Sequence, residues 1–181
     1  PEPDFVQAAD LAWMVDCSEL SRLGERLPAW ESIDFRLVTD HHLSAWENSE
    51  RIWIDKTEPA VASMVHDLIL SWELLTGRQI MNLTIANSLF AGLLTDTGRF
   101  TYSSVSDRTF LQAARLKQVG VDQEALTARF FELMRRPRLE AYGEIVRTLK
   151  LFEDGRVAVA YLDDEFQVGH NTSNTDFVGL V

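Results

Sequence analysis

The sequence predicts an α/β domain with a mostly parallel sheet flanked by helices, followed by the start of a second α/β domain. Two observations lead to this fold class. Short apolar runs in the first third of the chain are typical of strands buried in a parallel sheet. Later segments repeat apolar residues every three or four positions, as amphipathic helices do. Since 46% of the 181 residues are apolar, the chain carries enough apolar material for a complete core.

Three strands are predicted near the N-terminus. Residues 11–15 and 35–39 form apolar runs, and residues 51–55 alternate between apolar and polar side chains. Between the first two strands, residues 18–27 predict a short helix that Gly24 weakens.

Five helices are predicted after the strands. They cover about residues 59–75, 80–94 and 107–119, a segment from residue 122 and a segment from residue 137. Gly77 and Gly120 follow the first and third of them, at the position where helices commonly end. His66 falls off the apolar face of the first helix, so we expect it to be exposed.

The pattern changes near residue 150. Asp154-Gly155 separates two apolar runs, which predicts a β-hairpin. From residue 163 onward the chain is polar, which predicts a loop. We therefore expect a new module to begin close to residue 150.

Charge and cysteine content exclude several classes of protein. With 17 basic and 28 acidic residues the net charge is −11, which argues against nonspecific binding to nucleic acid or to anionic membranes. No apolar run is long enough to span a bilayer, and the first residues lack the features of a signal peptide. The single cysteine, Cys17, forbids an internal disulfide, so we expect a cytoplasmic protein.

Acidic residues and histidines close two of the predicted strands. Asp16 ends the first strand, and Asp40-His41-His42 follows the second. The carboxyl ends of parallel strands meet at one edge of a sheet, where ligands bind. Asp96, in a predicted turn, adds a third carboxylate. Such mixed donors suit Mn²⁺, Zn²⁺ or Fe²⁺ and admit Mg²⁺, and two such cations could clamp a phosphoryl group. The alternative is that the aspartates only cap helices and the histidines lie on the surface.

Three strings of residues, in this order along the chain, resemble motifs of the DHH phosphoesterase family. They are Val15-Asp16-Cys17-Ser18 with Arg22-Leu23-Gly24, then Thr39-Asp40-His41-His42, then Ala91-Gly92-Leu93-Leu94-Thr95-Asp96-Thr97-Gly98-Arg99-Phe100. Within the family the chain most resembles the nanoRNase type, oligoribonucleases that remove nucleotides from very short RNA. Some members of that type also dephosphorylate 3′-phosphoadenosine 5′-phosphate. Residues 97–102 and the helix that ends at Gly120 carry this closer resemblance.

The resemblance implies a role for each matched residue. Asp16 would bridge two metal ions, expected to be Mn²⁺, and His41 and Asp96 would bind one of them. His42 would contact the scissile phosphate, and Asp40 would be the acid that orients a histidine. A water or hydroxide held by the metal ions would be the nucleophile.

The implied activity is metal-dependent hydrolysis of short oligoribonucleotides, nucleotide 3′-phosphates or both, with a homodimer as a possible assembly. Arg22 and Arg99 lie beside the motifs and could bind substrate phosphates, or could be surface arginines in ion pairs. Two alternatives stay open. One is a manganese-dependent pyrophosphatase or a phosphodiesterase for cyclic-dinucleotide products within the same family. The other is a non-catalytic relative that binds nucleotide.

Two parts of the family pattern are not found in this sequence. The first motif, a His followed by Asp-x-Asp, should precede Asp16, but nothing before residue 11 supplies it. No two glycines are adjacent, so the glycine-rich loop of the substrate-binding domain is also missing. We therefore expect a fragment: an N-terminally incomplete catalytic domain over residues 1–149, and the linker and first strands of a C-terminal substrate-binding domain over residues 150–181. We expect this fragment alone to be inactive.

Overall fold

A computed structural model of the chain describes residues 9–42, 51–133 and 136–163, together with residues 166 and 169. The chain divides into two compact units, Pro1–Thr127 and Ala128–Val181. The expected division at residue 149 into a catalytic domain and the start of a second domain stays a prediction.

A three-stranded parallel sheet lies in the first unit. Its strands are β1 (Ala12–Val15), β2 (Arg36–Asp40) and β3 (Ile52–Ile54), with β2 between the other two. The residues of β2 from Val38 to Asp40 are buried, as expected for the central strand. The predicted parallel sheet is thereby confirmed.

The connection from β1 to β2 differs from the single short helix that residues 18–27 predict. A 3₁₀ segment, Leu20–Arg26, is interrupted at Gly24, whose φ of 52° and ψ of −125° are not helical. A new helix, α1 (Leu27–Glu31), begins after it, with Pro28 in its first turn. Glycine tolerates the positive φ that breaks the first segment, and proline suits the start of the second.

Helices pack beside the sheet in the order α2 (Val61–Thr76), α3 (Leu83–Asp96), α4 (Asp107–Val119) and α5 (Gln123–Thr127). The helix α2 contacts β2, and α2, α3 and α4 contact one another. Together they bury the largest apolar side chains of the first unit, Met64, Phe90, Leu93, Leu94 and Leu116. This packing fixes the start of α2 and the end of α3 beside the sheet.

Local chemistry accounts for the ends of these helices, and the sequence predicts the two ends that are marked by glycine. Gly77 and Gly120 end α2 and α4 with φ values of 68° and 116°, which only glycine adopts without strain. The Asn82 side chain accepts a hydrogen bond from the amide of Ile85 at 3.0 Å and so caps α3. Ser106 begins α4 in a capping box.

The second unit contains a helix and a hairpin. A π-helical segment, Ala128–Glu132, precedes α6 (Arg136–Thr148), and β4 (Lys150–Phe152) pairs antiparallel with β5 (Val157–Val159). The turn at Asp154-Gly155 confirms the predicted hairpin, with φ values of 55° and 83°. Most of the polar segment predicted after residue 163 lies outside the described residues. None of the helices in the described part of the chain has the length and apolar character needed to cross a membrane.

Candidate metal centre

The carboxyl ends of β1 and β2 bring the predicted site residues together. Val15 lies opposite Thr39 in the parallel register, so Asp16 and Asp40 follow at the same edge. The amide of Asp16 donates to the carbonyl of Thr39 at 2.9 Å, and Asp16 has a φ of 61°. This left-handed conformation is uncommon for a non-glycine residue and ends β1 abruptly. The ligand atoms of Asp16, His41 and His42 all lie within 4.8 Å of one another.

His41 has its two ring nitrogens in different environments. Nδ1 lies 3.1 Å from the backbone carbonyl of Glu58. Because a carbonyl only accepts hydrogen bonds, Nδ1 carries a proton, so Nε2 is the nitrogen with the lone pair in the neutral ring. Nε2 faces two carboxylates, at 3.3 Å from Oδ1 of Asp16 and 3.8 Å from Oδ2 of Asp96. A histidine held by one nitrogen, with the other facing anionic donors, has the form of a metal ligand.

Asp40 holds His42 and the backbone around it. Its Oδ1 accepts from the amides of His41 and His42 at 2.8 and 3.2 Å, and lies 2.7 Å from Nδ1 of His42. Burial alone would raise the pKa of Asp40, but these hydrogen bonds and one from Ser18 hold it below its ordinary value. The ionised carboxylate therefore accepts a hydrogen bond from Nδ1–H of His42, which leaves Nε2 as the nitrogen that can meet a ligand.

Asp96 enters the centre from the last residue of α3. Burial, and then the negative charge of Asp16, raise the pKa of Asp96 above its ordinary value. The turn behind it is tightly built: Thr97 is buried and its hydroxyl accepts from the amide of Phe100 at 2.9 Å. Two carboxylates that destabilise one another's charge favour a cation between them.

The donor atoms fit a divalent transition metal. Ligand distances of about 2.1 Å in a tetrahedral site place neighbouring ligand atoms about 3.4 Å apart. The separations of 3.3 and 3.8 Å from Nε2 of His41 to the carboxylates of Asp16 and Asp96 are close to this spacing and too long for good hydrogen bonds. One imidazole and two carboxylates suit Mn²⁺, Fe²⁺ or Zn²⁺.

The two predicted phosphate-binding arginines occupy different places. Arg22 lies in the 3₁₀ segment, is 61% exposed and has Nε 3.8 Å from a carboxylate oxygen of Glu19. Arg99 follows Asp96 by three residues, in the turn after α3, with a φ of 62°. Their contact with substrate stays a prediction, as do the roles of the metal and catalytic residues.

A cluster of polar residues lies behind the candidate metal centre, and the sequence analysis did not identify it as part of the site. Glu58, whose carbonyl accepts from His41, is only 6% exposed and its carboxylate pairs with Arg108 of α4. Arg108 also pairs with Asp67, whose carboxylate lies 2.7 Å from Nδ1 of His66. His66 is 1% exposed, so the expectation that it is exposed was wrong. No spacing pattern in the sequence indicates the ion pair of Glu58 and Arg108, because the two residues are fifty positions apart. The weak signal that could have drawn attention to Glu58 is its place as an ionisable residue shortly before the first turn of α2.

The chain is similar to curated phosphoesterases over most of its own length. No protein-family model matches it. The bifunctional oligoribonuclease and PAP phosphatase NrnA of Thermus thermophilus is 29% identical over 158 residues, 81% of this chain and 43% of the relative. The protein of the same name from Bacillus subtilis is 25% identical over 133 residues, 71% of this chain and 40% of the relative. The chain thus spans less than half the length of these relatives.

Solved structures share the fold. An exopolyphosphatase-related protein from Bacteroides fragilis superposes with a TM-score of 0.86 and 21% identity, over 98% of this chain and 52% of that one. A putative family II inorganic pyrophosphatase from Methanococcus jannaschii gives a TM-score of 0.54 at 19% identity, over 88% of this chain and 54% of that one. At such identities the likeness establishes the α/β fold.

These observations define a class. A parallel sheet flanked by helices, with the three ordered motifs and these relatives, gives the chain a resemblance to the DHH phosphoesterases. The curated relatives reported above carry the name of an oligoribonuclease and PAP phosphatase.

Proposed function

We propose that the protein is a divalent-metal-dependent phosphoesterase that hydrolyses short oligoribonucleotides, nucleotide 3′-phosphates or both. One observation carries the proposal: Nε2 of His41 faces Asp16 and Asp96 while its Nδ1 is fixed by a backbone carbonyl. This is how a protein presents a histidine to a metal. The curated relatives act on oligoribonucleotides and PAP, which supports the substrate class.

The bound metal is proposed to be Mn²⁺, held by Asp16, His41 and Asp96, with Asp16 also reaching a second ion in the full-length protein. A divalent cation here would polarise the phosphoryl group and supply a nucleophilic water at neutral pH. Oxygen and nitrogen donors together suit Mn²⁺ better than Ca²⁺.

The remaining residues of the centre are proposed to orient the substrate. Asp40 keeps Nδ1 of His42 protonated at 2.7 Å, and so turns the ring edge with Nε2 toward the substrate side. When Nε2 is also protonated, His42 would donate a hydrogen bond to a phosphoryl oxygen, and Asp40 would stabilise the resulting positive charge. Arg22 and Arg99 are proposed to bind further phosphate oxygens of the substrate.

The experiment measures two reactions of the full-length protein with Mn²⁺. These are cleavage of labelled RNA of two to five nucleotides, and phosphate release from 3′-phosphoadenosine 5′-phosphate. Asp16→Ala and His41→Ala should each lower both rates more than about a hundredfold, since removing even an outer partner of a ligand costs about 10- to 100-fold. Asp34→Ala is the matched control, because Asp34 is an exposed carboxylate at the opposite, amino-terminal end of β2.

Three outcomes separate the alternatives. Full activity in Asp16→Ala or His41→Ala would refute the assigned centre. Nucleotide binding without hydrolysis by the wild-type protein would indicate the non-catalytic relative. Hydrolysis of inorganic pyrophosphate in place of RNA and 3′-phosphoadenosine 5′-phosphate would indicate the pyrophosphatase alternative.

A further inference from the structure

A chain of polar contacts runs from the candidate metal centre to helix α4. Nδ1 of His41 donates to the carbonyl of Glu58, and the carboxylate of the same Glu58 forms an ion pair with Arg108. Glu58 is 6% exposed, so its charge is largely removed from water. The hydroxyl of Ser63 lies within hydrogen-bond distance of the second carboxylate oxygen.

The guanidinium group of Arg108 forms ion pairs with two carboxylates. Nη1 contacts Glu58, and Nη2 contacts Asp67 on α2. Gln112, one turn further along α4, donates to Asp67 at 3.0 Å and to the carbonyl of Ser63 at 3.2 Å. The fork geometry of arginine allows one residue to hold two carboxylates in fixed directions, which lysine does not reproduce.

Glu58 provides both the carbonyl that accepts the hydrogen bond from His41 and the carboxylate that pairs with Arg108. The amide of Glu58 donates to the carbonyl of Asp55 at 3.2 Å, but the peptide that carries the Glu58 carbonyl has no N–H to fix its direction, because the next residue is Pro59. Removing the cation from a buried carboxylate is strongly destabilising, so loss of the ion pair favours a rearrangement of Glu58 that includes its carbonyl. The direction of the Glu58 carbonyl is therefore coupled to the ion pair with Arg108.

We propose that Arg108, acting through Glu58, is a positioning residue that fixes the tautomer of His41 and so presents its Nε2 lone pair to a metal. The role rests on the proposed function, because it concerns the same centre. Asp16 supplies the competing interaction: its carboxylate, 3.3 Å from Nε2, would accept a hydrogen bond from Nε2–H if the Glu58 carbonyl moved away. The Nε2–H tautomer has no lone pair left for a metal at that position.

The test compares the two carboxylates that Arg108 holds. Glu58→Gln and Asp67→Asn each remove one negative partner of the same guanidinium, and both should lower the melting temperature. Of these two carboxylate residues, only Glu58 also contacts His41. In the full-length protein, Mn²⁺ titration followed by electron paramagnetic resonance should show binding weakened about 10- to 100-fold in Glu58→Gln and changed less than about twofold in Asp67→Asn.

A second readout needs no metal. In the metal-free protein, at a pH high enough to keep the histidine rings neutral, ¹⁵N NMR should show His41 as the Nδ1–H tautomer in the wild type and in Asp67→Asn, and a shift toward Nε2–H in Glu58→Gln. Arg108→Lys, which keeps the charge but not the fork, should show the same shift and serves if Glu58→Gln does not fold.

The results distinguish positioning from a purely structural role. Equal weakening of Mn²⁺ binding in Glu58→Gln and Asp67→Asn, in proportion to their stability loss, would overturn the proposal. An unchanged tautomer in Glu58→Gln or Arg108→Lys would also overturn it. A wild-type protein that does not bind Mn²⁺ would refute the proposed function, while the tautomer measurement would still decide the role of Arg108.

Discussion

Helices α2 and α3 approach each other closely at Gly92. A Cβ atom added to Gly92 would lie 2.7 Å from Cβ of Ala62. Carbon atoms in ordinary contact are about 3.5–4.0 Å apart, so Gly92→Ala forces a local separation of about 1 Å. Gly92 also lies one turn before Asp96 on the same helix. The same displacement would thus move a residue of the candidate metal centre.

Two opposing terms set the size of the effect on stability. An alanine inside a helix is favoured over glycine by about 1 kcal/mol. Overpacking a tight contact costs about 1–3 kcal/mol. We expect Gly92→Ala to lower the free energy of unfolding by up to about 2 kcal/mol, although the intrinsic preference has the opposite sign.

Gly143 provides the matched control. It lies inside α6, and a Cβ added there would have no atom within 4 Å. Gly143→Ala should therefore raise stability by about 1 kcal/mol, so the two identical substitutions should differ by about 1–3 kcal/mol. Urea denaturation followed by far-ultraviolet circular dichroism gives both values.

A double-mutant cycle isolates the contact. Ala62→Gly removes the atom that clashes, so combining it with Gly92→Ala should recover the overpacking term as a coupling energy of about 1–3 kcal/mol. The reasoning fails if Gly92→Ala stabilises the protein as much as Gly143→Ala does, or if the coupling is zero. Under the proposed function, a displacement of about 1 Å should also lower catalytic rate by as much as about a hundredfold.

Asp67 predicts a pH-dependent stability term: burial alone would raise its pKa, but hydrogen bonds, those from Gln112 and His66 first, hold it below the ordinary 3.8. A carboxylate whose pKa is lower in the folded than in the unfolded protein stabilises the fold at any pH above its unfolded-state pKa. This stabilisation is lost as the pH falls through the folded-state pKa. Asp67→Asn should therefore be less stable than the wild type at pH 7. The difference should narrow below about pH 4 in denaturation curves measured across pH, and a constant difference would contradict this. Gly98→Ala should cost about 1–2 kcal/mol in the same assay, because Gly98 has a φ of 54° and a Cβ there would meet the Tyr102 ring at 2.5 Å. Gly98→Asn should cost less, since asparagine tolerates the left-handed region, and equal losses would argue against backbone strain.

Local signals were enough for the elements around the centre. Apolar runs indicated the first two strands, an alternating pattern indicated the third, and glycine marked the ends of α2 and α4. The failure at residues 18–27 has a local cause too, because Gly24 takes a conformation that splits the segment. A weakened helix and an interrupted one have the same residue pattern, so the sequence did not distinguish them.

Burial of polar residues was less predictable. His66 lies off the apolar stripe of α2, which favours exposure, yet it is 1% exposed. Its ring is held by Asp67, and Asp67 in turn by Arg108 of α4. Of the two ring nitrogens of His66, only Nδ1 has a hydrogen-bond partner among the described residues, and residues of another helix hold that partner in place, so the periodicity of one helix carries no information about it.

The sequence by itself determined that Asp16, Asp40 and the two histidines gather at one edge of a parallel sheet. This follows because each lies directly after a strand, and parallel strands end at a common edge. Only the tertiary structure decided which nitrogen of His41 is free and which residues hold it so. That choice depends on the carbonyl of Glu58 and on Arg108, fifty residues further along the chain. The angle and distance at which α4 packs against α2 bring these groups together, and no pattern within a single element specifies that packing.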